Sequence, residues 1–549
     1  MATQGILILS LLVLVNIVNG QNFLLLPSSE PTCTPQPLIV NTSCDNTPVS
    51  NCSCTTTTQL KRSNFPDGFV FGAGGSAYQF EGGAYIDGKG DSIWDNFTAA
   101  YPNKIMDCSN GTVAIDSYHR YKEDVAILKE MGLDAYRFSI AWTRILPNGN
   151  RSEPINWIGV QYYNNLIDEL LLNGIEPFAV LFHWDLPQAL QDKYYGFLHP
   201  DIVNDFRDYA DLCFRLFGDR VKHWTTLNEP WTYSNYGYME GSFAPGCCSP
   251  WMDQNCSTGD SGQEPYNVTH NLLLAHSAAV KLYRERYQAE QNGTIGITLV
   301  TKWFVPYSPL REDQAAANRQ LDFTFGWYMD PLTTGQYPES MQSIVGDRLP
   351  KFTEEQSRDL IGSFDFIGVN YYTGRYAYDD SKTVYANYSY ESDPKTNFTA
   401  VRADGQCIGP LDGSSWVYVY PVGLLDLLRH MKTKYNNPRL YITENGIDEV
   451  HDNTIPIWEA LSDTKRVKYH IEHFCCLQQA IHEGVNVSGY FAWSLLDNFE
   501  WTAGYTSHFG LNFVDFKRNR TRYPKVSAGW FKWFLEKENQ ISQQSISYE

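Results

Sequence analysis

The sequence predicts one (β/α)8 barrel with long loops after its strands. Three observations carry that expectation. From Phe65 almost to the carboxyl end, short apolar or β-branched runs alternate with amphipathic stretches of helix length. No Gly/Ser linker or charge block interrupts the alternation. The polar side chains at the ends of the strand-like runs also share one chemical character, as expected where a barrel gathers its chemistry at the carboxyl ends of its strands.

Eight strand-like runs follow one another: FVFGAG around Phe71, AYRFSIAW from Ala135, PFAVLFHW from Pro177, HWTTLNEP from His223, IGITLVTKW from Ile295, FDFIGVNYY from Phe364, RLYITENG from Arg439 and VSGYFAWSLLDN from Val487. Between them, apolar residues recur at three and four positions over Asp116 to Met131, Val160 to Leu172, Ile202 to Phe217, Asn271 to Gln288 and Ser462 to His482, which predicts helices. An open doubly wound sheet is the competing fold. GAGGS at Gly72 to Ser76 superficially offers its phosphate loop, but the chain continues into AYQFEGG rather than into a helix.

Four segments divide the 549 residues: a targeting segment at 1–20, a Cys-bearing Thr/Ser/Pro-rich extension at 21–64, the barrel at 65–537 and a polar tail at 538–549. The apolar run Ile6 to Val18 is too short to span a bilayer and ends in small residues, as a secretory signal does. No other segment is long and apolar enough for a span. The net charge of −20 leaves no basic footprint for nucleic acid and would repel an anionic membrane surface, so a small, mostly uncharged substrate fits better.

Twelve cysteines and twelve Asn-X-Ser/Thr acceptor patterns point together to an exported chain bearing N-glycans. Cys33, Cys44, Cys52 and Cys54 crowd the extension, Cys475 and Cys476 lie on a predicted helix, and Cys248 and Cys256 are close enough in sequence to form a local bridge. Wider connectivity is not readable from spacing. A metal site is disfavoured because no His lies near the Cys248–Cys256 loop and the spacing gives no paired ligand pattern.

The strand-end residues are Gln79, Arg137, His183 and Trp184, Asn228 and Glu229, Lys302 and Trp303, Asn370 and Tyr372, Glu444 and Asn445, and finally Trp493, Glu500 and Trp501. Taken singly, a strand-end Glu is more often a salt-bridged rim residue, and a Trp or Tyr more often packing. Jointly they form a sugar site: two carboxylates from opposite parts of the barrel suit acetal hydrolysis, aromatic faces match sugar C–H faces, and amides match hydroxyls.

TLNEP at Thr226 to Pro230 and YITENG at Tyr441 to Gly446 resemble the two catalytic signatures of glycoside hydrolase family 1, in particular of plant β-glucosidases. FVFGAGGSAYQFEGG, FHWDLPQAL, GVNYYTGRYA and GYFAWSLLDNFEW resemble other family segments in the expected order, so the likeness covers nearly the whole chain after Phe65. It implies Glu229 as acid/base and Glu444 as nucleophile supported by Arg137 and Tyr372. It assigns sugar recognition to Gln79, His183, Asn228, Tyr372, Trp493, Glu500 and Trp501, with net retention of configuration and no cofactor.

Within the family, the thioglucosidases usually carry Gln in place of the acid/base Glu. Glu229 and Trp501 follow the O-glucosidase pattern, and Tyr236 stands where a sulfate-binding Arg would be expected. Cys54, the Cys475 region that could receive it, and Lys302 lean the other way. Lys302 is the candidate contact for an aglycone or anion, with a rim salt bridge as its plainer reading. A disaccharide-specific β-glycosidase is the further alternative, because the aglycone loops at 233–243, 302–309, 376–417 and 498–508 have no readable shape. The ending ISYE lacks a lumenal retention signal, leaving cell wall, other extracellular space or vacuole. Oligomeric state is left open.

Overall fold

The computed structural model describes residues 60–536 except 253–255, 257, 412, 415 and 451–453, together with 33–36, 44, 47, 49 and 52. The expected signal segment and polar tail lie outside the described residues, as do most of the extension and Cys54.

Eight parallel strands close into a barrel: β1 (Val70–Gly74), β2 (Ala135–Ser139), β3 (Glu176–Phe182), β4 (His223–Asn228), β5 (Thr294–Val300), β6 (Phe366–Asn370), β7 (Leu440–Asn445) and β8 (Val487–Ala492). Each pairs with its successor, and β8 closes on β1 through Val70 opposite Gly489. Almost every strand residue is buried because one face fills the lumen and the other meets helices.

The lumen is layered. Ala135, Phe178, Phe366, Tyr441 and Phe491 form an apolar plug at its amino-terminal end. Small residues make room for these rings: a Cβ on Gly72 would lie 2.4 Å from the Phe491 ring. One inward position further along β2 stands Arg137, and from there the lumen is polar.

Helices cover the outside. Ile202–Phe217 keeps the expected bounds and buries Phe206, Tyr209, Ala210, Cys213, Phe214 and Phe217. The run expected from Asn271 begins earlier, at Glu264, where Pro265 sits in the first turn and needs no hydrogen-bonded amide. Trp157–Leu172 also begins earlier than its apolar periodicity, because Asn156 caps it by accepting from the Ile158 amide.

Two details differ from expectation. The segment after GAGGS does form a helix, a single turn over Ala77–Phe80. It is too short for periodicity to register, and is held where the Ala77 amide donates to Ser139 Oγ at 2.7 Å. The run IGITLVTKW is two strands: β5 ends at Val300, and Trp303–Pro306 leaves the barrel to pair with Gly374–Asp379 in a three-stranded sheet completed by Thr396–Thr399.

The extension is tied to the barrel by disulfides joining Cys33 to Cys108, Cys44 to Cys407 and Cys52 to Cys476, while Cys248 joins Cys256. Cys475 is also disulfide-bonded, and Cys213 and Cys247 are free thiols. Among the described residues no helix is long and apolar enough to cross a membrane.

Candidate active site

Glu229 and Glu444 both face the polar end of the lumen, and both follow irregular strand pairing. On β4 the register shifts between Thr225 and Asn228. Thr226 accordingly bonds outward to His276 at 2.6 Å, while Asn228, two residues on, bonds inward to Arg137. On β7 the register shifts between Ile442 and Glu444, so Thr443 and Glu444 both point inward despite being neighbours. Bulges of this kind re-aim side chains beside active sites.

Glu229 has a left-handed backbone, φ 44°, and the helix Pro230–Asn235 starts immediately after it. Trp184 and Trp501 are left-handed as well. Each such non-glycine residue costs about 1–3 kcal/mol, a strain that concentrates at functional sites.

The two carboxylates are held differently. Glu444 accepts from Arg137 Nη1 at 2.7 Å and from the Tyr372 hydroxyl at 2.7 Å. Among the described residues Glu229 accepts only from neutral donors, Asn370 Nδ2 at 2.6 Å and Thr232 Oγ1 at 2.7 Å. Burial raises both carboxyl groups, because an anion loses its hydration there. At Glu444 the Arg137 charge and the two hydrogen bonds oppose that rise. At Glu229 the neighbouring Glu444 charge adds to it, and the group is pushed up to about 8. The single negative charge of the pair therefore rests on Glu444, and the proton on Glu229.

An amide relay connects them. Thr443 Oγ1 donates to Asn370 Oδ1 at 2.8 Å, which turns the Asn370 amide nitrogen toward Glu229 and toward Asn228 Oδ1. Asn228 Oδ1 also accepts from Arg137 Nη2 at 2.6 Å, so its own amide nitrogen faces His183 Nε2 at 3.1 Å. His183 must accept there and carry its proton on Nδ1, which has no partner among the described residues. Burial, with Arg137 nearby, keeps this imidazole neutral.

Across the lumen Gln79 donates to Asn498 Oδ1 at 2.9 Å and to Glu500 Oε2 at 3.3 Å, while Ser76 donates to its oxygen at 2.6 Å. Burial and the charges of Asp448 and Glu444 raise the Glu500 carboxyl well above its usual range. Trp493 and Trp501 stack 6.0 Å from His183, at interplanar angles of 20° and 18°. Trp501 also packs 4.6 Å from Trp94 and from Trp184.

The sequence-predicted residues Gln79, Arg137, His183, Asn228, Glu229, Tyr372, Glu444, Trp493, Glu500 and Trp501 thus form one constellation. Cys248 and Cys256 lie apart from it, in the loop after β4. The rim salt bridge expected of Lys302 is absent among the described residues; its ammonium lies 5.4 Å from the ring centres of both Trp231 and Phe398. Sequence reasoning overlooked Asn370 as a partner of Glu229, together with Thr232 and Thr443. Their signal was only a polar side chain at or beside a strand end. Among the described residues no cluster of His, Cys, Asp or Glu could hold a metal ion.

A closed barrel carrying a charged and a protonated carboxyl group beside amides and indole faces defines a glycosidase. Residues 61–540 match the model of "Glycosyl hydrolase family 1". The chain is 58% identical over 478 residues to Beta-glucosidase 12 of Oryza sativa subsp. indica, covering 87% of this chain and 94% of that protein. It is 55% identical over 488 residues to the isoflavonoid 7-O-beta-apiosyl-glucoside beta-glycosidase of Dalbergia nigrescens, covering 89% of this chain and 88% of that protein. A rice β-glucosidase mutant solved in covalent complex with glucose superposes with a TM-score of 0.85 at 48% identity, covering 87% of this chain and all of that one. The chain belongs to glycosyl hydrolase family 1 and is a glycosyl hydrolase.

Proposed function

We propose that the protein is a retaining β-glucosidase that cleaves the O-glycosidic bond of a β-glucoside of a small plant secondary metabolite. Glu444 attacks the anomeric carbon while Glu229 gives its proton to the departing aglycone oxygen, leaving glucose esterified to Glu444. Esterification removes the Glu444 charge. The Glu229 pKa then falls, and the same carboxylate takes a proton from the water that opens the ester with net retention. The observation that carries this reading is the unequal support of the two acids, one by a guanidinium and a phenol, the other by neutral donors alone.

Gln79, His183, Asn228 and Glu500 bind sugar hydroxyls in this account, and Trp493 provides the stacking floor. His183 is suited to the task because its Nδ1 proton has no acceptor among the described residues. Glu229 in place of Gln favours an oxygen over a sulfur leaving group. The name of the Dalbergia relative supports a second reading, release of an intact disaccharide from a substituted glucoside. The disulfides of the described residues, and exposure of Asn96, Asn110, Asn292, Asn387, Asn397, Asn486 and Asn519, support an exported, N-glycosylated protein of the cell wall, other extracellular space or vacuole.

Parallel assays with p-nitrophenyl β-glucoside, sinigrin and p-nitrophenyl β-primeveroside test the proposal. Turnover of the first, with β-glucose as the initial product by proton NMR, is expected. Brisk turnover of sinigrin with none of the first would overturn it in favour of a thioglucosidase, and selective turnover of the third would favour the disaccharide reading.

A further inference from the structure

Two cations in the loops around Glu229, half-buried Lys302 and buried Arg375, have no ion-pair partner among the described residues. Lys302 follows β5, and Arg375 lies in the adjacent strand Gly374–Asp379, opposite Phe304. Among the described residues the Lys302 ammonium has no hydrogen-bond or ion-pair partner; it rests against Trp231, two residues past Glu229, and against Phe398. Arg375 is 7% exposed and, among the described residues, donates only to neutral acceptors: Thr373 Oγ1 at 2.9 Å, Gly374 O at 2.8 Å and Trp416 O at 2.7 Å. Its guanidinium lies 4.7 Å from the Tyr418 ring centre.

The two charges repel one another, and burial with that repulsion depresses Lys302 to about 8. Burial depresses Arg375 to about 10. Glu240 and Glu229 act on Lys302 in the opposite direction, yet neither is within ion-pair distance. Glu240 itself is raised by burial and by Glu391, and is shared with Lys104. Buried charges are normally paired, since leaving one uncompensated is destabilising. An uncompensated pair of like sign beside a site for a bound molecule is therefore a site for the opposite charge.

We propose that Lys302 and Arg375 form an oxyanion subsite for the aglycone, so that the preferred glucosides carry a carboxylate or a comparable oxyanion on the leaving group. The inference rests on the reading of Glu229 as the acid that faces the aglycone oxygen. Lys302, which rests against Trp231 two residues past Glu229, then lies on the leaving-group side, and an aglycone anion placed there meets its ammonium within the field of Arg375.

The test compares 3- and 4-carboxyphenyl β-glucosides with their methyl esters. Charge-assisted hydrogen bonds differ from neutral ones enough to give about a tenfold or larger preference in kcat/KM. Wild type is expected to favour at least one acid over its ester by that factor. Lys302→Met is expected to abolish the preference, and Lys302→Arg to restore it. The ratio of acid to ester, taken in wild type and divided by the same ratio in the variant, cancels differences in leaving-group acidity and in Glu229. Arg375→Gln serves as the second probe, with thermal unfolding to verify its fold. Equal ratios in wild type and Lys302→Met would overturn the subsite, as would a wild type that favours both esters. Failure of wild type on p-nitrophenyl β-glucoside would instead overturn the β-glucosidase reading itself. A 4-sulfophenyl β-glucoside distinguishes a sulfonate-tolerant subsite, where it behaves like the acids, from one that takes carboxylates alone.

Discussion

Replacing Tyr372 by Phe isolates the support of Glu444. The phenol donates at 2.7 Å to Glu444 Oε2, and its ring packs 5.5 Å from Trp416 and 5.9 Å from Phe509. Phe keeps those ring contacts and deletes only the hydroxyl. A hydrogen bond to an ionised group contributes about 1.5–3 kcal/mol. At about 1.4 kcal/mol per pKa unit, its loss raises the Glu444 pKa by about 1–2 units. The sign follows from the bond favouring the charged form: without it, Glu444 holds its proton to a higher pH and is lost as a nucleophile sooner on acidification.

In the pH profile of kcat/KM for p-nitrophenyl β-glucoside, the acid limb should move up by that amount. The alkaline limb, set by Glu229 at about 8, should stay in place because the two bonds to Glu229 come from Asn370 and Thr232. An unmoved acid limb with a displaced alkaline limb would refute the assignment of the charge to Glu444.

Three further outcomes follow from the same structure. Glu444→Gln should be almost inactive and not rescued by a better leaving group, whereas Glu229→Gln should recover turnover with an activated aglycone or with azide; identical behaviour would contradict the division of roles. Gly72→Ala places a methyl group 2.4 Å from the Phe491 ring and 2.8 Å from the Ala135 carbonyl. It should cost about 1–3 kcal/mol in urea unfolding with no change in KM, and an unaltered midpoint would mean that the plug yields easily. Paired replacement of Cys44 and Cys407 by Ser, across 363 residues of chain, should cost about 2–4 kcal/mol under oxidising conditions and nothing once wild type is reduced, as read from unfolding midpoints.

The barrel was legible because eight apolar runs and the helices between them announce a period, and because polar residues interrupt each run at its carboxyl end. Glu229, Glu444 and Arg137 were legible for that reason. Asn370 also stood at a strand end, yet its bond to Glu229 depends on Thr443 fixing the amide from the next strand, a contact that spacing does not encode. The turn carrying Gln79 is only one helical repeat long, so no periodicity marks it. Lys302 was legible as a cation but its surroundings were not. The sheet that sets it beside Arg375 is made from segments separated by the length of β6 and its preceding helices, with Phe398 on that sheet's third strand, and Trp231 reaches it from the helix after β4. The pairing of the extension's cysteines with Cys108, Cys407 and Cys476 was equally hidden, since connectivity depends on how the extension wraps the barrel.

The central claim is that Glu444 becomes covalently bonded to sugar. Incubation with 2-deoxy-2-fluoro-β-glucosyl fluoride, which slows opening of the glycosyl ester, followed by peptic digestion and mass spectrometry, measures this directly. The account predicts one fluoroglucosyl group per chain on the peptide containing Glu444, with none on the peptide containing Glu229. A label on Glu229, or hydrolysis of substrate with no covalent adduct at any time, would contradict it.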